Sequence, residues 1–135
     1  MSRQRGFSSL LMVLLLLALG SLLLQGLNQQ QRALLAQTAG ETQAIRETAR
    51  AHSALQWGKG LAWLIQDASA CQHADAEGWH ACLRIFDDAS VLLIASGGGV
   101  LLWQSGGIEE GMVRFSPHGW SDFCPLTEAN LCLMP

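Results

Sequence analysis

The feature that most constrains this chain is the uncharged stretch from Phe7 to Leu27, which sits inside RGFSSLLMVLLLLALGSLLLQGL. At about 1.5 Å of rise per residue, its 21 residues span the roughly 30 Å hydrocarbon layer of a bilayer as one helix. A single-pass membrane protein is therefore expected, with the residues beyond Leu27 delivered by that helix. Arg3 and Arg5 precede the run, and the next basic residue, Arg32, lies past Gln29, Gln30 and Gln31. A short basic leader is expected to stay in the cytoplasm, which puts the carboxyl-terminal part on the opposite side. The chain has 8 basic and 11 acidic residues, and the leader holds two of the basic ones, so the outer portion is acidic. That balance gives no electrostatic footprint for nucleic acid.

A cleaved secretory signal needs an apolar core of about 7 to 15 residues followed by a small-x-small site. Ala18-Leu19-Gly20 is a passable site, but Leu22, Leu23 and Leu24 carry the apolar run onward. An uncleaved signal anchor asks only for length and flanking charge, and no cysteine follows the run to carry a lipid. Arg5-Gly6-Phe7-Ser8-Ser9-Leu10-Leu11 adds something more specific: a basic leader ending in glycine, then phenylalanine, then the apolar run. This resembles the class III signal of type IV prepilins and type II secretion pseudopilins. The resemblance implies that prepilin peptidase cuts between Gly6 and Phe7, that Phe7 is then N-methylated, and that the apolar helix is kept for the core of a filament. Most members of that family carry a glutamate at the fifth residue of the mature chain, where this sequence has Leu11. A carboxylate in lipid is costly unless it finds a cation, and the family's glutamate finds the amino terminus of a neighbouring subunit. The same departure marks the minor pseudopilin thought to cap the tip, so the resemblance makes Leu11 a determinant of tip position.

Beyond Leu27 hydrophobicity falls while helical character persists. Leu34, Leu35, Ile45, Ala49, His52, Leu55 and Ala62 recur on a background of Ala, Gln, Glu and Arg, with no proline before Pro117. This predicts one amphipathic helix over residues 28–66, with Gly40, Gly58 and Gly60 as weak points. Gly20 and Gly26, in the apolar run, predict either local melting or close helix packing. Glu47 is one turn from Arg50 and placed to pair with it. Trp57, Leu61 and Leu64 share a face for core packing, and His52 reads as a packed residue. From Asp67 to Cys82 the periodicity is lost and a loop is expected. It holds Cys71, His73, His80 and Cys82, which invite a zinc site, but the spacing crowds neighbouring ligands. An extracytoplasmic chain with an even number of cysteines favours disulfides instead, here Cys71 with Cys82.

Four apolar runs follow, Cys82 to Phe86, Val91 to Ala95, Val100 to Gln104 and Met112 to Phe115. Asp87-Asp88, Gly97-Gly98-Gly99 and Gly106-Gly107 separate them with turn chemistry, which predicts an antiparallel meander. Val91, Leu93 and Ala95 alternate with Leu92 and Ile94, so both faces of that strand are apolar, as expected if one packs on the helix and the other is partly covered. The triple glycine lacks the Lys-Ser/Thr of a phosphate loop. Ser116, His118 and Asp122 lie too close in sequence for a hydrolase triad, which distant segments usually assemble.

GWSDFCPL, SALQWGK and the amino-terminal RGFSSLLMVLLLLALGSLLLQG together resemble the YgdB family of enterobacterial prepilin-like proteins across most of the chain. Pilins also carry a carboxyl-terminal loop closed by a disulfide, and Cys124 with Cys132 has that place. The expected fold is α+β and type IV pilin-like, a long amino-terminal helix packed on a small antiparallel sheet. Its parts are a leader (1–6), a transmembrane helix (7–27), an amphipathic helix (28–66) and a sheet domain with disulfide-closed loops (67–135). The expected role is a minor pilin or pseudopilin that helps start or cap a type IV pilus or type II secretion pseudopilus. The rival is a signal-anchored periplasmic domain with no filament role. Neither is an enzyme, and no cofactor or metal is expected. The implied partners are other minor pilins or pseudopilins, prepilin peptidase and the inner-membrane assembly platform. The implied location is the inner membrane, with the carboxyl-terminal domain in the periplasm and a place at the filament tip after assembly.

Overall fold

The computed structural model describes the backbone from Ser2 to Pro135 and side chains from Gly6 onward. Met1 of the expected leader, and the side chains of Arg3 and Arg5, lie outside the described residues. One helix, α1 (Ser2–Gly60), precedes five strands, β1 (Ser69–Ala74), β2 (Trp79–Ile85), β3 (Ser90–Gly97), β4 (Leu101–Glu109) and β5 (Met112–Ser121). A short 3-10 turn, Ala129–Cys132, follows. The chain divides into two compact units, one ending at Thr42 and one running from Gln43 to Pro135.

The first unit is helix alone. Its large apolar side chains, Phe7 and Leu10 through Leu27, are all exposed. Thr38 and Thr42 return their hydroxyls to the carbonyls of Leu34 and Thr38, at 2.9 and 2.8 Å, so these poor helix formers satisfy themselves locally.

The second unit is a sandwich of helix, sheet and carboxyl-terminal strap. All four strand pairings are antiparallel and the order is β1-β2-β3-β4-β5, the expected meander with one strand added. Ala51, Ala54 and Leu55 of α1 are buried against Ala81, Leu83, Val91, Leu93, Ala95 and Leu102. Small residues let the backbones close in: a Cβ on Gly97 would stand 2.5 Å from the carbonyl oxygen of Arg50. The large residues supply the driving force, about 1.5 to 3 kcal/mol for each fully buried leucine. On the other face of β3, Leu92 and Ile94 meet Cys132, flanked by Leu101, Trp103, Cys124, Leu126 and Met134. Covering both faces explains why β3 reads as a continuous apolar run.

Three expectations need correction. Helix α1 stops at Gly60, short of Gln66. The indole of Trp63 donates to the carbonyl oxygen of Gly58 at 2.8 Å and the amide of Leu61 to the same atom at 3.4 Å, which uses an acceptor that a longer helix would have filled. Leu61 and Leu64 therefore lie beyond the helix, while Trp57 packs beside Trp79 with ring centroids 6.3 Å apart. The expected loop from Asp67 to Cys82 contains strand β1 and the start of β2, joined over Asp75 to Gly78. Gly106-Gly107 is not a turn. A Cβ on Gly106 would stand 2.4 Å from the carbonyl oxygen of Arg114, so glycine is there for close strand approach, and β4 continues to Glu109. The turn is made by Glu110 and Gly111, at φ 52° and 76°, with Glu109 opposite Met112. Two positive φ values match the hairpin twist.

Candidate functional site

The apolar amino-terminal segment carries the residues singled out for processing. Gly6 and Phe7 lie within α1, and Ser9 Oγ donates to the Gly6 carbonyl oxygen at 3.0 Å. Phe7 is 72% exposed and Leu11 53%. Every other large apolar residue of the run is exposed too, so the segment is long and apolar enough to cross a membrane and has no cover of its own. Gly6 weakens the helix locally by about 1 kcal/mol relative to alanine. A Cβ on Gly6, Gly20, Gly26 or Gly40 would meet nothing within 4 Å, so packing inside this chain does not account for any of these glycines.

The stripe expected from Leu34 to Leu55 does two different things. Ala51, Ala54 and Leu55 belong to the core, whereas Leu34, Leu35 and Ile45 are exposed. Ala44, Ile45, Thr48, Ala49 and His52 line a shallow apolar groove along α1. Trp120 of β5 meets the His52 ring edge-on, centroids 5.0 Å apart, which makes His52 the packed residue that its position implied. Glu47 does not pair with Arg50 among the described residues. Its Oε1 accepts from Gln43 Nε2 at 2.8 Å, and its methylenes lie over Gly98, the one of the three successive glycines with φ of 95°.

Both cysteine pairs close as expected, Cys71 with Cys82 and Cys124 with Cys132. The first joins directly opposed residues of β1 and β2. The second closes the strap over the outer face of the sheet. Trp103 Nε1 donates to the Cys132 carbonyl at 3.0 Å and Arg84 Nη2 to that of Leu133 at 3.1 Å, so β4 and β2 both hold the strap. Ser116, His118 and Asp122 are exposed and share no hydrogen bond among the described residues. Ser116 to Gly119 form a bulge: Gly106 faces Phe115 and Gln104 faces Trp120, leaving four residues opposite Ser105. The buried Gln104 amide bridges it, donating from Nε2 to the Ser116 carbonyl at 2.7 Å. Sequence reasoning passed over Gln104, although a glutamine beside Trp103 and Leu102 in an apolar strand was a signal for a buried polar bridge.

Asp88, in the turn between β2 and β3, is a titrating group moved from its ordinary value. Hydrogen bonds from the Ser90 hydroxyl and then the Ser90 amide, at 2.5 and 2.9 Å to Oδ1, stabilise its carboxylate and lower its pKa. No group of three or more metal-ligating side chains occurs among the described residues.

A family model described as a protein of unknown function, DUF2509, matches residues 15–132. No curated protein and no solved structure matches the chain.

Proposed function

We propose that this chain, which belongs to the DUF2509 family, is a minor pilin or pseudopilin that helps start or cap a type IV pilus or type II secretion pseudopilus. The observation that carries this reading is the layout. An uncovered apolar helix runs on into a segment packed against an antiparallel sheet, whose outer face is strapped by a disulfide-closed carboxyl-terminal loop. That is the α+β arrangement of type IV pilins, and it makes sense of an apolar segment that needs either lipid or neighbouring helices as cover. The YgdB-type resemblance of the sequence supports the same class. In this reading prepilin peptidase removes residues 1–6 and methylates Phe7. The chain then waits in the inner membrane with its sheet domain in the periplasm, and joins other minor subunits on the assembly platform. Leu11 supplies no carboxylate for a neighbour's amino terminus, which suits a subunit at the tip.

Intact-mass analysis of the protein from cells with active prepilin peptidase tests the reading. The expected product lacks residues 1–6 and carries a methyl group on Phe7. Gly6→Ala is expected to retain the leader with the fold unchanged, because the added methyl meets nothing within 4 Å. A full leader on the unmodified protein, in cells that process their other prepilins, refutes the proposal and leaves a signal-anchored periplasmic domain. Counting copies per filament by quantitative mass spectrometry tests the tip position, and regular occurrence along the shaft overturns it.

A further inference from the structure

We propose that His73 and His80 form a two-histidine site for a first-row divalent transition metal, with copper(II) bound most tightly. The two residues face each other directly across β1 and β2, two positions along from the Cys71–Cys82 pair. A step of two along an antiparallel pair preserves both the face and the type of pairing. The Cα atoms of Cys71 and Cys82 are 4.0 Å apart, so both pairs are of the close, non-hydrogen-bonded kind in which side chains approach most nearly. The disulfide locks the register at that point, and the turn at Asp75 to Gly78 closes the other end, where the Gly78 amide donates to the Ala74 carbonyl at 2.9 Å. The histidine pair thus stands on a fixed frame.

The imidazole rings are T-shaped, 79° between planes with centroids 4.5 Å apart, and the two Nδ1 atoms are in direct hydrogen-bond contact. Both residues are exposed. A metal bound at about 2.0 to 2.1 Å from each nitrogen, with an angle near 90° to 110° between them, needs the nitrogens about 3 Å apart. Small side-chain rotations open that gap with the backbone held. Cys71 and Cys82 are consumed by the disulfide, and with no third ligating side chain grouped here, water fills the remaining positions. Two neutral imidazoles with open positions suit copper, nickel or zinc, and the affinity order of divalent ions puts copper(II) first. The site does not depend on the filament reading.

The test uses the full chain in detergent micelles, disulfides intact and without a polyhistidine tag, titrated with copper(II) chloride. One copper per chain is expected, with a Kd on the order of micromolar and nitrogen hyperfine structure from two imidazoles in the electron paramagnetic resonance spectrum. His73→Gln and His80→Gln are each expected to weaken binding roughly tenfold or more, and the double variant no further than the loss of a single site allows. His52→Ala and His118→Ala should leave binding unchanged. Retention of the Cys71–Cys82 disulfide, verified by peptide mass, shows that the variant hairpins keep their register. Copper binding that survives both glutamine substitutions, or no binding up to about 1 mM, overturns the proposal.

Discussion

Replacing Gly97 with alanine tests whether helix and sheet are held together by backbone proximity. The new Cβ would stand 2.5 Å from the carbonyl oxygen of Arg50, 2.7 Å from its carbonyl carbon and 3.1 Å from the amide nitrogen of Ala51. All three are backbone atoms, so no rotamer change relieves the clash. Ordinary carbon–oxygen contact needs about 3.3 Å, so the strand end and helix must separate by somewhat under 1 Å, loosening Ala51, Ala54 and Leu55 together. Overpacking of this kind costs typically about 1 to 3 kcal/mol, and rigid atoms on both sides place Gly97→Ala near the upper end. Gly58→Ala is the control. Its Cβ would meet Ala81 Cβ at 3.0 Å and a Leu93 methyl at 3.3 Å; the leucine can shift, and the fixed Ala81 Cβ asks helix and strand to give by only a few tenths of an ångström. Alanine also gains about 1 kcal/mol of helix propensity, so the net change should be near zero. Tryptophan fluorescence during denaturation reads both variants cleanly, because Trp57, Trp63, Trp79, Trp103 and Trp120 all lie in the second unit. A loss of about 2 to 3 kcal/mol for Gly97→Ala corresponds to a Tm lower by roughly 10 to 20 °C for a unit of this size. A Gly97→Ala protein as stable as the parent, or less destabilised than Gly58→Ala, would refute the reasoning.

Two further outcomes are expected. Replacing Cys124 and Cys132 by alanine should lower stability by about 2 to 4 kcal/mol and expose the outer face of β3, read as increased binding of a hydrophobic dye; unchanged dye binding would show that the hydrogen bonds from Trp103 and Arg84 suffice to hold the strap. For Asp88, the folded-state pKa is depressed, so its contribution to stability is complete above the unfolded-state value and disappears as pH falls through the folded-state value. An NMR titration of the full chain should place the Asp88 midpoint below the ordinary carboxylate range, and Ser90→Ala should raise it; a midpoint indifferent to Ser90→Ala would mean that the side-chain hydrogen bond is not the main cause.

Much of this architecture was legible before any coordinates. The uncharged run to Leu27 and the absence of proline before Pro117 were enough for one continuous helix, because both signals are local and summed over many residues. The apolar alternation around Leu93 identified a strand covered on two sides. The cysteine pairs followed from their number and nearness in sequence together with the pilin-like pattern. What could not be read locally depended on a partner far away in the chain. Strand β1 is poor in β-branched residues and takes its conformation from pairing with β2. Glycines were read as turns or weak points by default, yet Gly97 and Gly106 serve close approach to Arg50 and Arg114, and no neighbour in sequence announces that.

The candidate site divides along the same line. Arg5-Gly6-Phe7 and Leu11 were visible in the sequence because they lie in a linear motif and a membrane-length run. The exposure of Phe7 and Leu11, and the open space that a Cβ on Gly6 would enter, are facts of the fold. His73 and His80 were noticed as residue types within a supposed loop; only strand register made them neighbours, since an antiparallel pair brings together side chains whose separation along the chain says nothing about their phase. Sequence alone determined that this chain has a membrane-length apolar helix, a helical continuation and a small disulfide-bearing β domain. Tertiary structure decided where the helix ends, which face each strand gives to helix or strap, and which polar groups meet, because those outcomes depend on distances between segments that local propensity does not encode.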